Sequence, residues 1–278
     1  MKTIIGGGIM PELPEMETYK NLLQLKVAGH VIQDVEVNRE KSINTTVSEF
    51  TKELVGNRIT HIHRRGKHLI FDLESGNKLL LHLMLGGLMY IETDNDTISR
   101  TKQVILRFAS HQLCFIGLRL GYLHLLTPDQ VKTELADLGP EPLQPGFTLQ
   151  SFEKLVENKR GMLKTTLVDQ DFIAGIGNCY SDEICFAAEL LPTRTFDTLD
   201  GAQVQKLYQS IHSVFQDAIR FGGYMEQPLF KGDYLTGGYD EKCKVYDREG
   251  ESCVRCGSVI KKKEVSSRKT FFCANCQI

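Results

Sequence analysis

Four cysteines near the carboxyl end of the chain have the spacing of a metal site. Cys253 and Cys256 are separated by two residues, as are Cys273 and Cys276, and sixteen residues lie between the two pairs. Each pair lets two thiolates bind one ion from a tight turn, and a set of four thiolates is typical of structural rather than catalytic zinc. The segment is too short to bury a core, so metal binding would supply its folding free energy. The sequence therefore predicts one structural Zn²⁺; four unconnected buried thiols are the weaker alternative.

The same segment carries an excess of positive charge. Residues 242–278 contain nine Lys or Arg against four Asp or Glu, a balance of +5, whereas the whole chain has a formal net charge of −2. The rest of the chain therefore carries −7, the difference between these two values. Such asymmetry indicates a tail that meets a polyanion and a body that stays soluble. A solvated, lysine-rich surface would explain the charge alone equally well.

Length and composition limit the class of protein. The 278 residues are 41% hydrophobic and 24% charged, which is ordinary for a globular chain of one or two domains. No apolar run approaches the roughly 20 residues of a membrane span, and the amino terminus lacks the features of a signal peptide. We therefore expect a cytoplasmic protein whose eight cysteines are thiols or metal ligands rather than disulfides.

The elements that must position these residues change type along the chain. A helix is predicted from about residue 13 to Val27, and strand-like runs with short turns follow between Val31 and Leu118. Strands that succeed one another without helices pair antiparallel, in a sandwich or barrel. After Gly139-Pro140-Glu141-Pro142 the periodicity becomes helical up to Phe221. The predicted fold is multidomain α+β, with an N-terminal antiparallel β-sandwich and flanking helix, a helical domain and a C-terminal zinc-binding hairpin.

The first helix begins within a specific motif, Met10-Pro11-Glu12-Leu13-Pro14-Glu15-Met16-Glu17-Thr18. This run resembles the amino terminus of the formamidopyrimidine-DNA glycosylase family, which begins Met-Pro-Glu-Leu-Pro-Glu. Three later stretches resemble that family's Gly-Lys strand, helix–two-turn–helix signature and zinc finger, in the same order: Arg65–Leu69, Ala174–Glu183 and Arg268–Gln277. The related endonuclease VIII group, which prefers oxidised pyrimidines, is a more distant match, because Leu13 between the Pro-Glu pairs speaks against it.

The resemblance implies a division of the chain into four parts. Residues 1–9 form an extension before the family's usual start, and residues 10–141 form the catalytic β-sandwich domain. Residues 142–241 form the helix–two-turn–helix domain together with a capping loop, which runs from Tyr224 to Tyr239. Residues 242–278 form the zinc finger.

An amino-terminal proline is a secondary amine and can act as a nucleophile. Its attack on C1′ of a deoxyribose would expel the damaged base and leave an iminium, the electron sink for β- and δ-elimination. The resemblance therefore implies a bifunctional DNA-formamidopyrimidine glycosylase and abasic-site lyase with the catalytic residues Pro11, Glu12 and Lys67. Glu12 would protonate the sugar ring oxygen or the leaving base, Lys67 would bind the phosphate beside the lesion, and Glu15 would hold the first helix. Without the motif, Glu12 would be an ordinary helix-start carboxylate and Lys67 a solvated lysine.

The resemblance also assigns residues to the binding of DNA. The expected partner is double-stranded DNA with damaged bases or abasic sites, bound by a monomer in the cytoplasm, at the nucleoid if the source is bacterial, and no membrane is involved. The residues assigned to DNA are His82, Leu85, Arg119, Lys164, Asn178, Tyr246 and Arg268. Asn178 could also be a plain helix cap, and core packing is an alternative for His82 and Tyr246.

The chain departs from the family pattern around the extruded base. Leu85 takes the place of a Met that fills the gap in the emptied stack, and the stretch Arg119-Leu120-Gly121 lacks a Phe. In the capping loop, Tyr224 and Met225 follow Gly222-Gly223 where family members have Ser or Thr, and Leu235 replaces a Lys. We therefore predict weak excision of 8-oxoguanine relative to cleavage at abasic sites.

The nine residues before Met10 conflict with the proposed chemistry, because an amide-bonded proline nitrogen is not nucleophilic. We favour the hypothesis that the true start is Met10 and that the methionine is removed because proline follows. The codons of Gly6-Gly7-Gly8-Ile9 can contain a purine-rich ribosome-binding sequence, which supports this hypothesis. The alternative is a non-catalytic relative that binds lesion-containing DNA, with Pro11 blocked by the extension.

Overall fold

The structure, a computed structural model, describes residues 10–278, so the extension of residues 1–9 lies outside the described residues. The chain divides into two compact units. The first comprises the described residues up to Ala136 together with Phe221–Gly238, and the second comprises Asp137–Arg220 and Tyr239–Ile278. Most of the capping loop therefore clusters with the first unit, although the sequence assigned it to the helical domain.

The first unit contains two antiparallel four-stranded sheets. Their strand orders are β1-β6-β7-β5 and β2-β3-β4-β8. The strands are β1 Asp34–Val37, β2 Ile59–Arg65, β3 His68–Leu73, β4 Lys78–His82, β5 Leu88–Glu92, β6 Lys102–Arg107, β7 Gln112–Ile116 and β8 Tyr122–Leu126. Along β3 the side chains alternate between the core and the other face, as a strand with one buried face requires. Phe71 of β3 meets Phe115 of β7 edge to face with ring centroids 6.4 Å apart, which packs one sheet on the other and confirms the predicted sandwich.

Three helices accompany the sheets: α1 Leu13–Lys26, α2 Val47–Leu54 and α3 Pro128–Glu134. Helix α1, predicted from the motif and its proline, buries Met16, Tyr19 and Leu23 in the core of the sandwich. Helix α2 interrupts the strands and is absent from our sequence interpretation. Its signal was present, because Thr46 and Glu49 form a capping box at its start.

The second unit consists of helices and a hairpin. Its elements are α4 Leu149–Val156, α5 Leu163–Leu167, α6 Asn178–Ala187, α7 Gly201–Arg220, β9 Lys261–Val265 and β10 Arg268–Phe272. Helix α7 buries an apolar stripe at helical spacing that includes Leu207, Ile211 and Phe215. The side chain of Gln170 holds the link from α5 to α6. Its amide nitrogen donates to the carbonyl oxygens of Val168 and Ile176, and its amide oxygen accepts the N–H of Gly175.

No helix in the described part of the chain is both long and apolar enough to cross a membrane.

Candidate functional site

The amino-terminal turn and the β2–β3 turn of the first unit hold three ionisable side chains away from water. Glu12, Glu15 and Lys67 are 2%, 0% and 5% exposed. The backbone N–H of Glu12 donates to Oε2 of Glu15 at 2.9 Å. The other carboxylate oxygen of Glu15 accepts the N–H of Tyr224 at 2.8 Å. Glu15 thus ties the Pro11–Glu12 turn to the start of the capping loop, as its predicted supporting role requires.

Close packing at Glu15 explains the glycine pair before the capping loop. Gly223 has φ +76°, and a Cβ atom there would stand 2.2 Å from Oε1 of Glu15. A Cβ on Gly222, with φ +77°, would stand 2.0 Å from the carbonyl oxygen of Leu235. Both positions therefore need glycine for conformation and for space.

Lys67 lies in a tight turn, whereas our interpretation of the sequence placed it on a strand. Arg65 and His68 pair at the end of the β2–β3 hairpin, so that Gly66 and Lys67 form the turn between them. Gly66 adopts φ +56°, which favours glycine there. Burial lowers the pKa of Lys67, and the negative charges of Glu12 and Glu15 act in the opposite direction. The turn therefore presents an amine within electrostatic reach of both acids.

A row of rings leads away from Lys67 across the neighbouring strands. His82 ends β4, and its ring lies 4.3 Å from that of His68 and 6.0 Å from that of Tyr122. Burial lowers the pKa of His68 to about 4 and that of His82 to about 3, so both rings are neutral near pH 7. Within residues 10–278, Nδ1 of His82 is buried and has no hydrogen-bond partner. A neutral ring nitrogen of this kind can bond an incoming ligand.

Two glycine-rich turns carry exposed apolar side chains. Leu85 is 49% exposed in the turn after β4, and Leu120 is 62% exposed in the turn between β7 and β8. The turns touch through their backbones, since a Cβ on Gly121 would stand 2.4 Å from the carbonyl oxygen of His82. Arg119, which precedes Leu120 in the second turn, is exposed. Our sequence interpretation noted only that a Phe was absent and missed Leu120 as the apolar tip of this turn.

Arg39 is a second residue that sequence reasoning missed. Its guanidinium donates to the carbonyl oxygens of Leu118 and Arg119, both at 3.2 Å. The hydroxyl of buried Ser42 also donates to the carbonyl of Leu118. These bonds hold the turn that carries Arg119 and Leu120. A partner almost eighty residues away gives no local signal in the sequence.

In the second unit, Asn178 is exposed at the first position of α6, after Gly177. The dipole of a helix start favours an anion there. Lys164, predicted to touch DNA, is instead fully buried. Its ammonium donates to the carbonyl of Asn178 at 2.8 Å, to Oγ of Ser181 at 2.9 Å and to Oδ1 of Asp182 at 2.7 Å. All three of its hydrogens are used, so the geometry does not present Lys164 to a phosphate.

The zinc finger, residues 242–278, carries the last two residues predicted to contact DNA. Arg268 begins β10 and is half-buried; it follows Ser266 and Ser267, which adopt φ +48° and +61°. Such a two-residue turn matches the twist of a hairpin although neither residue is glycine. Tyr246 is half-buried, and its ring meets that of Phe271 edge to face at 5.4 Å. Packing therefore accounts for one face of Tyr246.

The four cysteine sulfurs converge as their spacing predicts. The sulfurs of Cys253, Cys256, Cys273 and Cys276 all lie within 4.8 Å of one another. Cys253 and Cys276 are 3.8 Å apart, and Cys256 and Cys273 are 3.5 Å apart. Four thiolates at about 2.3 Å from one zinc in a tetrahedron would be separated by about 3.8 Å. The donor set and its size therefore fit one structural zinc ion.

The predicted residues thus fall into two groups, one in each unit. The first unit holds Pro11, Glu12, Glu15, Lys67, His82, Leu85 and Arg119. The second unit holds Lys164, Asn178, Tyr246, Arg268 and the four cysteines.

Three family models match the chain in succession. A formamidopyrimidine-DNA glycosylase N-terminal domain matches residues 10–122, and a formamidopyrimidine-DNA glycosylase H2TH domain matches residues 138–227. A zinc finger found in FPG and IleRS matches residues 250–278. Together they cover most of the described chain, and the first match begins at Met10.

Curated relatives are similar along their whole length. The formamidopyrimidine-DNA glycosylase of Listeria innocua is 36% identical over 273 residues, which are 96% of this chain and 100% of the relative. That of Lactococcus lactis is 33% identical over 271 residues, with 96% and 99% covered.

Solved structures are similar as well. A variant of the Lactococcus lactis FPG in complex with Fapy-dG containing DNA has a TM-score of 0.89 and 32% identity, over 96% of this chain and 99% of that one. The Lactococcus lactis Fpg in complex with abasic site containing DNA has a TM-score of 0.88 and 31% identity, over the same shares of both chains.

Proposed function

The chain belongs to the formamidopyrimidine-DNA glycosylase family, and from this premise we propose that Pro11 is the nucleophile of its reaction. The protein is a DNA repair enzyme, a glycosylase and abasic-site lyase. The observation that carries the residue assignment is the buried pair Glu12 and Glu15 beside Pro11, with the buried Lys67 of the β2–β3 turn within electrostatic reach of both. The non-catalytic alternative is not favoured by the full-length similarity.

The proposed reaction begins with the free secondary amine of Pro11. Its lone pair attacks C1′ of the damaged nucleotide and the bond from C1′ to the base breaks, while Glu12 donates the proton that the leaving base or the sugar ring oxygen takes up. The Pro11 nitrogen then loses its N–H proton and the ring oxygen gains a proton as its bond to C1′ breaks, which leaves an iminium between Pro11 and the opened sugar. A C2′ proton is lost to solvent as the 3′ phosphate leaves, and a second elimination, with loss of the C4′ proton to solvent, expels the 5′ phosphate.

We propose that the remaining polar residues bind the DNA backbone. The buried ammonium of Lys67 and the unpartnered ring nitrogen of His82 support contacts to phosphates near the lesion. In the second unit, the helix start at Asn178, Tyr246 and the hairpin residue Arg268 would bind further phosphates. The zinc, held by the four cysteines, would fix the hairpin that carries Arg268.

A flipped nucleotide leaves a gap, which we propose is filled by the two apolar turns. The exposure of Leu85 and Leu120 beside Arg119 supports this role, because an apolar wedge compensates lost base stacking. The Lactococcus lactis relative binds DNA with Fapy-dG or an abasic site, and we propose the same classes of lesion for this chain. We further propose that the enzyme acts as a monomer on bacterial DNA in the cytoplasm.

The nucleophile can be tested by chemical trapping. Sodium borohydride reduces an iminium to a stable amine, so a protein that begins at Pro11 should become covalently bound to abasic-site DNA. A protein that keeps residues 1–9 unprocessed should not be trapped, because its Pro11 nitrogen is an amide. Lys67→Ala in the shortened protein should still be trapped at saturating protein. Equal trapping of the extended chain, or loss of trapping in Lys67→Ala, would move the nucleophile away from Pro11.

A further inference from the structure

A buried ion pair lies behind the exposed residues of the second unit. Lys164 and Asp182 are both 0% exposed, and their charged atoms are 2.7 Å apart. A buried ion pair usually adds little net stability compared with apolar side chains of the same volume. The pair therefore suggests a role in placing its neighbours.

The first connection runs to the start of α6. The ammonium of Lys164 donates to the carbonyl oxygen of Asn178 and to Oγ of Ser181, which itself donates to the same carbonyl at 3.1 Å. These bonds fix the first turn of α6 from its buried side. The side chain of Asn178 lies on the exposed side of that turn.

The second connection runs to the zinc hairpin. Oδ2 of Asp182, the oxygen that Lys164 does not use, accepts the N–H of Phe271 in β10 at 2.9 Å. Phe271 lies three residues after Arg268 on the same strand. One carboxylate therefore connects the helix that carries Asn178 with the strand that carries Arg268.

The next residue of α6 holds the chain segment that precedes the metal site and the hairpin. The buried carboxylate of Glu183 accepts the backbone N–H groups of Lys244, Val245 and Tyr246 at 2.8–3.0 Å. Asp182 and Glu183, which are consecutive on α6, thus bind two segments of the finger: strand β10 and residues 244–246. The zinc ligands are not part of either connection.

We propose that the Lys164–Asp182 pair, together with Glu183, is a positioning device that sets Arg268 and Asn178 at the spacing of the DNA phosphates. This inference rests on the proposed function, since it needs Arg268 to bind a phosphate. Two phosphate contacts can form together without a further loss of conformational entropy only if the structure already holds their side chains at the right spacing. Lys164 then serves DNA binding through its neighbours rather than by touching the phosphate backbone.

The test is the salt dependence of binding. The double variant Lys164→Gln/Asp182→Asn replaces both charged side chains with neutral amide side chains of similar size. Affinity for a duplex with a tetrahydrofuran abasic analogue is measured by anisotropy at several salt concentrations. The logarithm of the association constant falls linearly with the logarithm of the salt concentration. We expect the magnitude of this slope to decrease by about 0.9, the value for one lost phosphate contact. Arg268→Ala should lower the slope equally, and adding the double change to it should lower the slope no further.

Three controls separate positioning from stability. Zinc content is measured for every variant. Ile211→Val alters the buried stripe of α7 without touching the pair, and it should retain the wild-type slope. The milder Glu183→Gln should weaken binding about fivefold. The single-turnover rate of Glu183→Gln at saturating protein should stay within about twofold of wild type, because Pro11 and Glu12 belong to the first unit. These last two factors are order-of-magnitude expectations for lost hydrogen bonds.

The outcomes distinguish the two proposals. A wild-type slope in the double variant, or slopes that add with Arg268→Ala, would overturn the positioning role. If the double variant does not fold, wild-type affinity in Glu183→Gln would overturn it. A wild-type slope in Arg268→Ala itself would instead refute the proposed phosphate contact.

Discussion

At the scale of single residues, the amino-terminal turn is notable for charge held away from water. Removing an ion from water costs several kcal/mol unless partners compensate, yet Glu12 and Glu15 are buried there, and Lys67 is buried in the β2–β3 turn. Both carboxylate oxygens of Glu15 accept hydrogen bonds from backbone N–H groups. Glu12, which lies beside Pro11 in the chain, is the carboxyl that we assign to proton transfer.

The role of Glu12 predicts different losses in the two half-reactions. Glu12→Gln keeps the side chain's size but cannot donate a proton to the leaving base. Excision of a ring-opened purine should fall by about 100-fold or more, the usual contribution of a general acid. Cleavage of abasic DNA should fall less than about tenfold, since no base is left to protonate. Single-turnover assays on both duplexes measure this, with Glu17→Gln as the control one helical turn away. Equal losses would contradict the assignment.

The two adjoining histidines, His68 and His82, predict how stability depends on pH. Burial places the pKa of His68 at about 4 and that of His82 at about 3, below the 6.5 of the unfolded chain. Their contribution is therefore complete above pH 6.5 and is lost as the pH falls towards the folded values. At pH 5 each should cost about 2 kcal/mol relative to pH 8. Urea unfolding of His82→Gln should show a flatter pH dependence by about that amount, and curves parallel to the wild type would refute it.

At the scale of elements, the two apolar turns are held by backbone rather than by side chains. Gly87, Gly117 and Gly121 each leave no space for a Cβ against the facing carbonyls. Arg39 then fixes the second turn from a distant loop. The positions of Leu85 and Leu120 are set by the turns themselves, so that side chains at these tips can change while the turns remain.

These turns make lesion choice testable. Leucine tips form a smaller wedge than the family's Met and Phe, so the wild type should cleave abasic DNA at least tenfold faster than it excises 8-oxoguanine opposite cytosine, about 1.4 kcal/mol in barrier. Leu120→Phe should raise 8-oxoguanine excision several-fold and leave abasic cleavage unchanged. Leu25→Phe, the same substitution on an exposed position of α1, is the matched control. Equal wild-type rates on both lesions would show that the leucines are compensated elsewhere.

At the scale of the whole molecule, each unit carries part of the proposed site, and the zinc finger needs its metal ion for a stable structure. The buried cluster around the finger consists of Phe186, Val245, Ile260 and Phe271 with two of the cysteines. Such a cluster is too small to hold a domain without a further constraint. Zinc therefore supplies the order that the charged hairpin needs to meet DNA.

Removal of one zinc ligand should release the metal and weaken DNA binding. Purified wild type should contain one zinc per chain, and Cys256→Ser should lose it, because three thiolates hold the ion much less tightly than four. Affinity for abasic DNA should fall with it, as Arg268 loses its fixed strand. Cys243→Ser changes a cysteine outside the metal set and should keep the zinc. Wild-type protein without zinc would refute the site.

The sequence by itself determined the family, the class of fold and one structural zinc, and these predictions are confirmed. Each rests on residues close together in the chain: the Pro-Glu motif, the alternation of the strands and the two cysteine pairs. Local patterns of this kind constrain backbone and ligand geometry directly. The catalytic and DNA-binding assignments of Pro11, Glu12 and Arg268 came from the same motifs and stay predictions.

Only the tertiary structure decided what surrounds those residues. It buried Lys164 against Asp182, placed Lys67 in a turn, and put Leu120 at an exposed tip. It also brought the capping loop to the first unit, where Glu15 bonds Tyr224 across 209 residues of sequence and Leu229 joins the core of the sandwich. Burial and long-range hydrogen bonds depend on which distant segments meet, and no single stretch of sequence contains that information.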